Sequence, residues 1–176
     1  GISGMLNQTF YFVVYPCNCS KGFDLVFVNS AGTHACVLSS SQALDIKRNS
    51  NTLLYNQAFA GWNAPVAPTS IETESVYEDG ASGIKVTWNA SKSASDLLKG
   101  YNVYFRQSGV GEPELEGYVG SENTKLLVDG LVSGQYYDFG VQSVGTDGKK
   151  NSEIVWLNDV KYEAPELPEG TPVPYP

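Results

Sequence analysis

Leu131-Val-Ser-Gly-Gln-Tyr-Tyr-Asp-Phe-Gly-Val-Gln-Ser-Val144 sets a strand, the corner that leads into it and its buried face together. Tyr137, Phe139 and Val141 alternate with Asp138, Gly140 and Gln142, the period of two that marks a strand with one face in a core and one toward water. Gly134 supplies the turn ahead of the strand. An apolar Leu131 three residues before that glycine, and Tyr137 three after it, suit a corner whose phenol packs inward. Its hydroxyl is then expected to bond back to upstream backbone.

This stretch resembles the matching run of a fibronectin type III domain. That family's Leu, turn Gly, Tyr and alternating apolar residues correspond to Leu131, Gly134, Tyr137, Phe139, Val141 and Val144, with Ser133 where the family usually has Pro. The resemblance extends over roughly residues 64–162. Pro65 and Pro68 open it, Ile71 and Val76 begin the first strand, and Ile84-Lys-Val-Thr-Trp88 reads as the second, with Trp88 similar to the family's core tryptophan. Gly100 to Arg106, Glu114 to Val119, Thr124 to Gly130 and Asn151 to Val160 complete the set. Seven short β-rich runs separated by Gly, Asp, Ser and Pro clusters indicate a two-sheet sandwich on pattern alone. The resemblance implies an immunoglobulin-like fold with Trp88, Leu131, Tyr137, Phe139 and Val141 in its core. It implies no activity, because function resides in sites rather than folds.

The 176 residues have room for one sandwich and a smaller unit. The division expected is a small β-rich docking domain over 1–62, a linker over 63–68, the sandwich over 69–162 and a Pro-rich extended tail over 163–176. With 11 Lys and Arg against 19 Asp and Glu, a net charge of -8, the chain lacks the basic footprint of a nucleic-acid binder. No apolar run approaches the ~18 residues that a membrane helix requires. The opening Gly-Ile-Ser-Gly-Met-Leu-Asn-Gln has none of the features of a secretory signal, and Met5 stands where a myristoylation motif needs Ser or Thr. Either a signal has been removed or there was none; Gly1 is what initiator-methionine removal would leave, so synthesis in the cytoplasm is the simpler expectation, although a tag glycine or a mature secreted terminus would look the same.

Phe10-Tyr-Phe-Val-Val-Tyr15 places large side chains on both faces of one predicted strand, so it should be covered on both sides. Sixty residues cannot easily do that alone, and this segment is expected to be an interface with other subunits. Phe23 to Val28 and Thr33 to Leu38 read as two further strands joined by a tight turn at Asn29-Ser-Ala-Gly32. Ser39 with Gln42 forms a weak capping box, and Ala43, Leu44 and Ile46 predict one short helix to about Lys47.

Cys17-Asn-Cys19 and His34-Ala-Cys36 are the most specific chemical constellation. Residues two apart on a strand face one side, so two such pairs on neighbouring strands would aim three thiolates and an imidazole at one zinc ion. A disulfide from Cys17 or Cys19 to Cys36 is the competing reading, and unligated thiols are the default in a reducing compartment. No catalytic residues are assigned. His34 is the one histidine, and neither a nucleophile elbow nor a phosphate loop accompanies it. Glu112, Glu114 and Glu116 read as a solvated charge run rather than a paired-acid site, and Gly145-Thr-Asp-Gly148 carries no Arg-Gly-Asp. Sequons at Asn7, Asn18 and Asn89 matter only in a glycosylating compartment.

The expected function is therefore a non-enzymatic structural protein with an exposed sandwich. Similarity to sandwiches appended to phage tail and capsid proteins makes a bacteriophage virion the leading context. Other subunits of a homo- or hetero-oligomeric assembly, and a host-surface glycan, are the expected partners, without nucleic acid or membrane insertion. The alternative is a secreted bacterial adhesive or carbohydrate-active protein in which the sandwich is a spacer.

Overall fold

The computed structural model describes residues 15–48, 61–93 and 95–167. Of the predicted interface strand only Tyr15 falls within them, exposed at 92% and outside any strand; Phe10, Tyr11, Phe12, Val13 and Val14 lie outside the described residues. The tail beyond residue 167 lies outside them too.

Seven strands build the sandwich: β5 (Thr69–Glu78), β6 (Ala81–Asn89), β7 (Leu98–Gln107), β8 (Glu114–Gly120), β9 (Lys125–Asp129), β10 (Tyr136–Gly145) and β11 (Ile154–Lys161). They form a three-stranded sheet in the order β5-β6-β9 and a four-stranded sheet in the order β11-β10-β7-β8, all antiparallel. Each strand alternates as its sequence does. Ile84, Val86 and Trp88 on β6, Tyr101 and Val103 on β7, Val128 on β9, and Tyr137, Phe139 and Val141 on β10 are buried together, with Leu131 half-buried against them. Trp88 meets Tyr101 edge to face, ring centroids 5.3 Å apart, a geometry that favours aromatic pairs beyond their area.

At the corner, the Val132 N–H donates to the Tyr137 hydroxyl at 2.9 Å. Gly134 adopts φ +82°, a conformation that only glycine reaches without strain, and its N–H donates to the Tyr162 carbonyl at 2.7 Å. The turn is thus held both to the strand it feeds and to the end of β11. Tyr137→Phe should lower stability by about 1 kcal/mol, because the Val132 N–H loses its acceptor. Urea melts would show this as a lower midpoint at unchanged slope; an unaltered midpoint would mean that the bond contributes nothing.

The earlier strands are β1 (Cys17–Cys19), β2 (Phe23–Val28), β3 (Ala35–Ser40) and β4 (Leu44–Ile46). β2 pairs with β3 and β1 with β4, in two separate two-stranded sheets. The described chain divides into two compact units: residues 15–25 with 38–48, and residues 26–37 with 61–167. No helix occurs among the described residues, and the helix predicted over 39–47 is replaced by the end of β3 and by β4. The reason is local. Leu44 and Ile46 satisfy a period of two as well as a helical stripe, and pairing with β1 decides between them; the Ser40 hydroxyl, accepting from the Gln42 N–H at 3.2 Å, stabilises a turn instead of a cap.

In the segment 63–68, expected as a linker, Asn63, Ala64 and Val66 are hydrogen-bonded to other parts of the chain. Asn63 and Ala64 pair with Ala35 through backbone hydrogen bonds. The Asn63 side chain also imitates a strand, its Oδ1 accepting from the Val37 N–H at 2.8 Å and its Nδ2 donating to the Val37 carbonyl at 3.2 Å. The Lys150 N–H donates to the Asn63 carbonyl, and Pro65 and Pro68 are fully buried. Asn63 therefore joins β3 to the β10–β11 loop. Asn63→Ala should cost about 1–3 kcal/mol, since both backbone groups of the buried Val37 lose their partner. Chemical denaturation measures it, and an unchanged midpoint would show that this amide anchors nothing.

Candidate functional site

The outer face of the four-stranded sheet gathers aromatic, amide and charged side chains of the described chain. Because Tyr101 and Val103 point into the core, Asn102, Tyr104 and Arg106 point out, and the register sets Tyr104 beside Gly140 and Asn102 beside Gln142. Trp156 and Ile154 lie across from Gly140 and Gln142 on β11, and Leu115 and Tyr118 across from Tyr104 and Asn102 on β8.

Two glycines let the aromatics lie flat. A Cβ at Gly140 would come within 2.8 Å of the Trp156 ring, and one at Gly100 within 2.5 Å of the Tyr118 hydroxyl. The aromatic rings are then fixed by polar neighbours. The Asn102 amide donates to the Tyr104 hydroxyl, which donates to Gln142 Oε1 at 3.1 Å; Gln142 Nε2 donates to the Ser152 carbonyl, and the Tyr118 hydroxyl to the Lys99 carbonyl. Leu115 and Tyr118 remain 56% and 48% exposed, so the face ends in open apolar surface.

Its charged end is Asp138, buried although it occupies an outward position of β10. Oδ2 accepts from Arg106 Nε at 2.8 Å, and Oδ1 from the Ser108 hydroxyl at 2.6 Å and from the Asp159 N–H at 3.0 Å. Asp159 reaches it because β11 bulges there: Tyr137 pairs with Val160 but Phe139 with Leu157, and Asp159 takes φ +58°. Burial pushes the Asp138 carboxyl up. The bonds from Ser108, Asp159 and Arg106, with the guanidinium charge, more than offset it and hold the group below the usual carboxylate range. Arg106 in turn sits 4.8 Å over the Trp156 ring.

The four residues read as zinc ligands are not brought together. β1 pairs with β4 and not with β3, Cys36 is fully buried, and no group of three or more His, Cys, Asp or Glu side chains that could hold a metal ion occurs among the described residues. His34 is occupied otherwise. Its Nδ1 lies 3.3 Å from the Asn29 amide nitrogen and 2.8 Å from the Thr33 hydroxyl, and its ring packs 6.0 Å from Trp62. No disulfide joins the three cysteines. Cys17 and Cys19 do face one side, with sulfurs 3.9 Å apart. Sequence reasoning missed the Asp138 cluster and the Asn63 clamp; Asp138 stands at a polar position of an alternating strand, so the pattern gives no signal of its burial.

The fibronectin type III domain family matches residues 67–155, half of the chain. Solved structures similar to it include the fn3 domain of human collagen alpha-1(XX) chain (18% identity, covering 63% of this chain and 97% of that one, TM-score 0.47). A two-domain fibronectin type III segment of chicken tenascin is 16% identical over 78% of this chain and 83% of that one, TM-score 0.44. The Clostridium perfringens spore cortex lytic enzyme SleM is 22% identical over 54% of this chain and 28% of that one, TM-score 0.40. With family match, strand order and tyrosine corner in agreement, this chain belongs to the fibronectin type III domain family, whose modules are generally non-catalytic and serve binding or adhesion.

Proposed function

We propose that this chain is a non-enzymatic structural component of a bacteriophage virion, in the capsid or tail, whose sandwich presents its outer sheet face to a partner at the particle surface. The observation that carries the binding role is that face, where Tyr104, Tyr118 and Trp156 are pre-set by glycines or hydrogen bonds beside the exposed Leu115. A surface already ordered in the free protein loses little side-chain entropy on contact, which favours recognition. The virion context is supported by the low lysine and arginine content and by the unbroken run of large apolar residues in the sequence at 10–15, which suits burial between subunits. Aromatic rings beside Asn102 and Gln142 also suit stacking on a sugar ring, which keeps the secreted adhesive reading as the second one.

An antiserum against the purified chain, applied to density-gradient fractions of the producing culture, separates the two. The virion reading expects the chain to co-sediment with particles that contain DNA. Recovery only as a soluble extracellular protein would refute it and favour the adhesive one. A Tyr118→Ala, Leu115→Ala double variant should keep the fold and lose partner binding, because both side chains are open to solvent.

A further inference from the structure

We propose that Cys17 and Cys19 form a two-thiolate half-site for a zinc ion, completed by the same two residues of a second copy of this chain. β1 holds the pair in place through its antiparallel register with β4, Cys17 opposite Ile46 and Cys19 opposite Leu44, so both thiols project from one side of a hydrogen-bonded ribbon. Their sulfurs lie 3.9 Å apart. A zinc–thiolate bond of about 2.3 Å at a tetrahedral angle puts two sulfurs about 3.8 Å apart, so the pair needs almost no rearrangement to chelate. Cys17 and Asn18 are exposed and Cys19 is partly so, which leaves the site open to an ion and to a second protein.

One chain supplies only two ligands. No cluster of three or more ligating side chains occurs among the described residues, and the segments outside them contain no Cys, His or Asp and a single Glu, Glu169. Structural zinc takes four ligands, and a twofold axis through the ion brings two thiolates from each of two copies. Binding is balanced by release of four thiol protons to solvent: one zinc ion and four thiols give a tetrathiolate complex carrying two negative charges. This site differs from a Cys17, Cys19, His34, Cys36 set, which would be closed within one chain.

The test uses the full chain, reduced and metal-free, titrated first with cobalt(II) as a spectroscopic probe and then with zinc. The visible absorption of tetrahedral cobalt thiolate should saturate at one ion per two chains and be bleached by zinc, while light scattering shows the zinc-bound mass doubled. Cys17→Ser and Cys19→Ser, at a solvent-facing strand, should each abolish the spectrum and the mass change. No tetrahedral spectrum, saturation at one ion per chain without a change of mass, or an undiminished response in Cys17→Ser would each overturn the proposal.

Discussion

Trp88→Ala should lower the unfolding free energy by about 3–5 kcal/mol, and Trp88→Phe by much less. Trp88 is 4% exposed and packs edge-on against Tyr101 in the cluster that joins the two sheets. Truncation to alanine removes the buried indole and leaves a cavity that strands paired on both sides cannot close. Phenylalanine changes the sum in two directions. It leaves a smaller void, and it also removes the indole Nε1, a buried donor that has no hydrogen-bond acceptor. An unmatched buried donor costs on the order of 1–3 kcal/mol, so its removal offsets part of the lost packing. Denaturant melts of the three proteins test both halves. Equal losses for Ala and Phe would mean that ring volume is unimportant, and a loss below about 1 kcal/mol for Ala would contradict the placement of Trp88 in the core.

The sandwich was readable because its strands have two unlike faces. Each of three strands carries three alternating apolar residues, Ile84, Val86 and Trp88, then Tyr101, Val103 and Phe105, then Tyr137, Phe139 and Val141, and one register alone buries that set; a slip of one residue would expose it. The corner was readable for a different reason: Gly134 and Tyr137 act within six residues of Leu131, inside the range that sequence spacing reports. What spacing does not report is a partner far along the chain. Asp138 sits at a polar position of an alternating strand and reads as solvent-facing. It is buried because Arg106, Ser108 and Asp159, 32, 30 and 21 residues away, converge on it. Asn63 reads as the first residue of a linker, yet its amide completes the ladder of Val37, 26 residues away.

The cysteines show the same limit from the other side. That Cys17 and Cys19 share a face follows from strand geometry and holds in the structure, with the sulfurs 3.9 Å apart. Which strand lies beside them does not follow from it. The expectation of four ligands needed β1 next to β3, whereas β1 pairs with β4, itself a segment whose Leu44 and Ile46 fit helix and strand equally well. The outer sheet face was missed on similar grounds: Tyr104, Tyr118 and Trp156 are scattered over 53 positions of sequence, and only the β8-β7-β10-β11 order makes them neighbours across one sheet.

Asp138→Ala should cost about 3–5 kcal/mol at neutral pH, the range for removing one partner of a buried ion pair, toward its lower end because Arg106 is one-third exposed. The loss has three sources: the Arg106 guanidinium is left without its carboxylate, the Ser108 hydroxyl without an acceptor, and the Asp159 N–H, held at a bulge in a left-handed conformation, without the bond that offsets its strain. Asp138→Asn isolates the charge. Since the folded carboxyl is held below its unfolded value of about 3.9, the unfolded chain binds a proton over the interval in which the folded one does not, and stability rises with pH there. The contribution of Asp138 is then complete above the unfolded value and is lost as pH falls through the folded one. Urea melts of the native chain and of Asp138→Asn between pH 7 and pH 3 should therefore show a stability gap that is constant near neutrality and narrows on the acid side. A gap that stays constant across the whole range would mean that the folded carboxyl titrates as in the unfolded chain and that the Arg106, Ser108 and Asp159 contacts do not hold its charge.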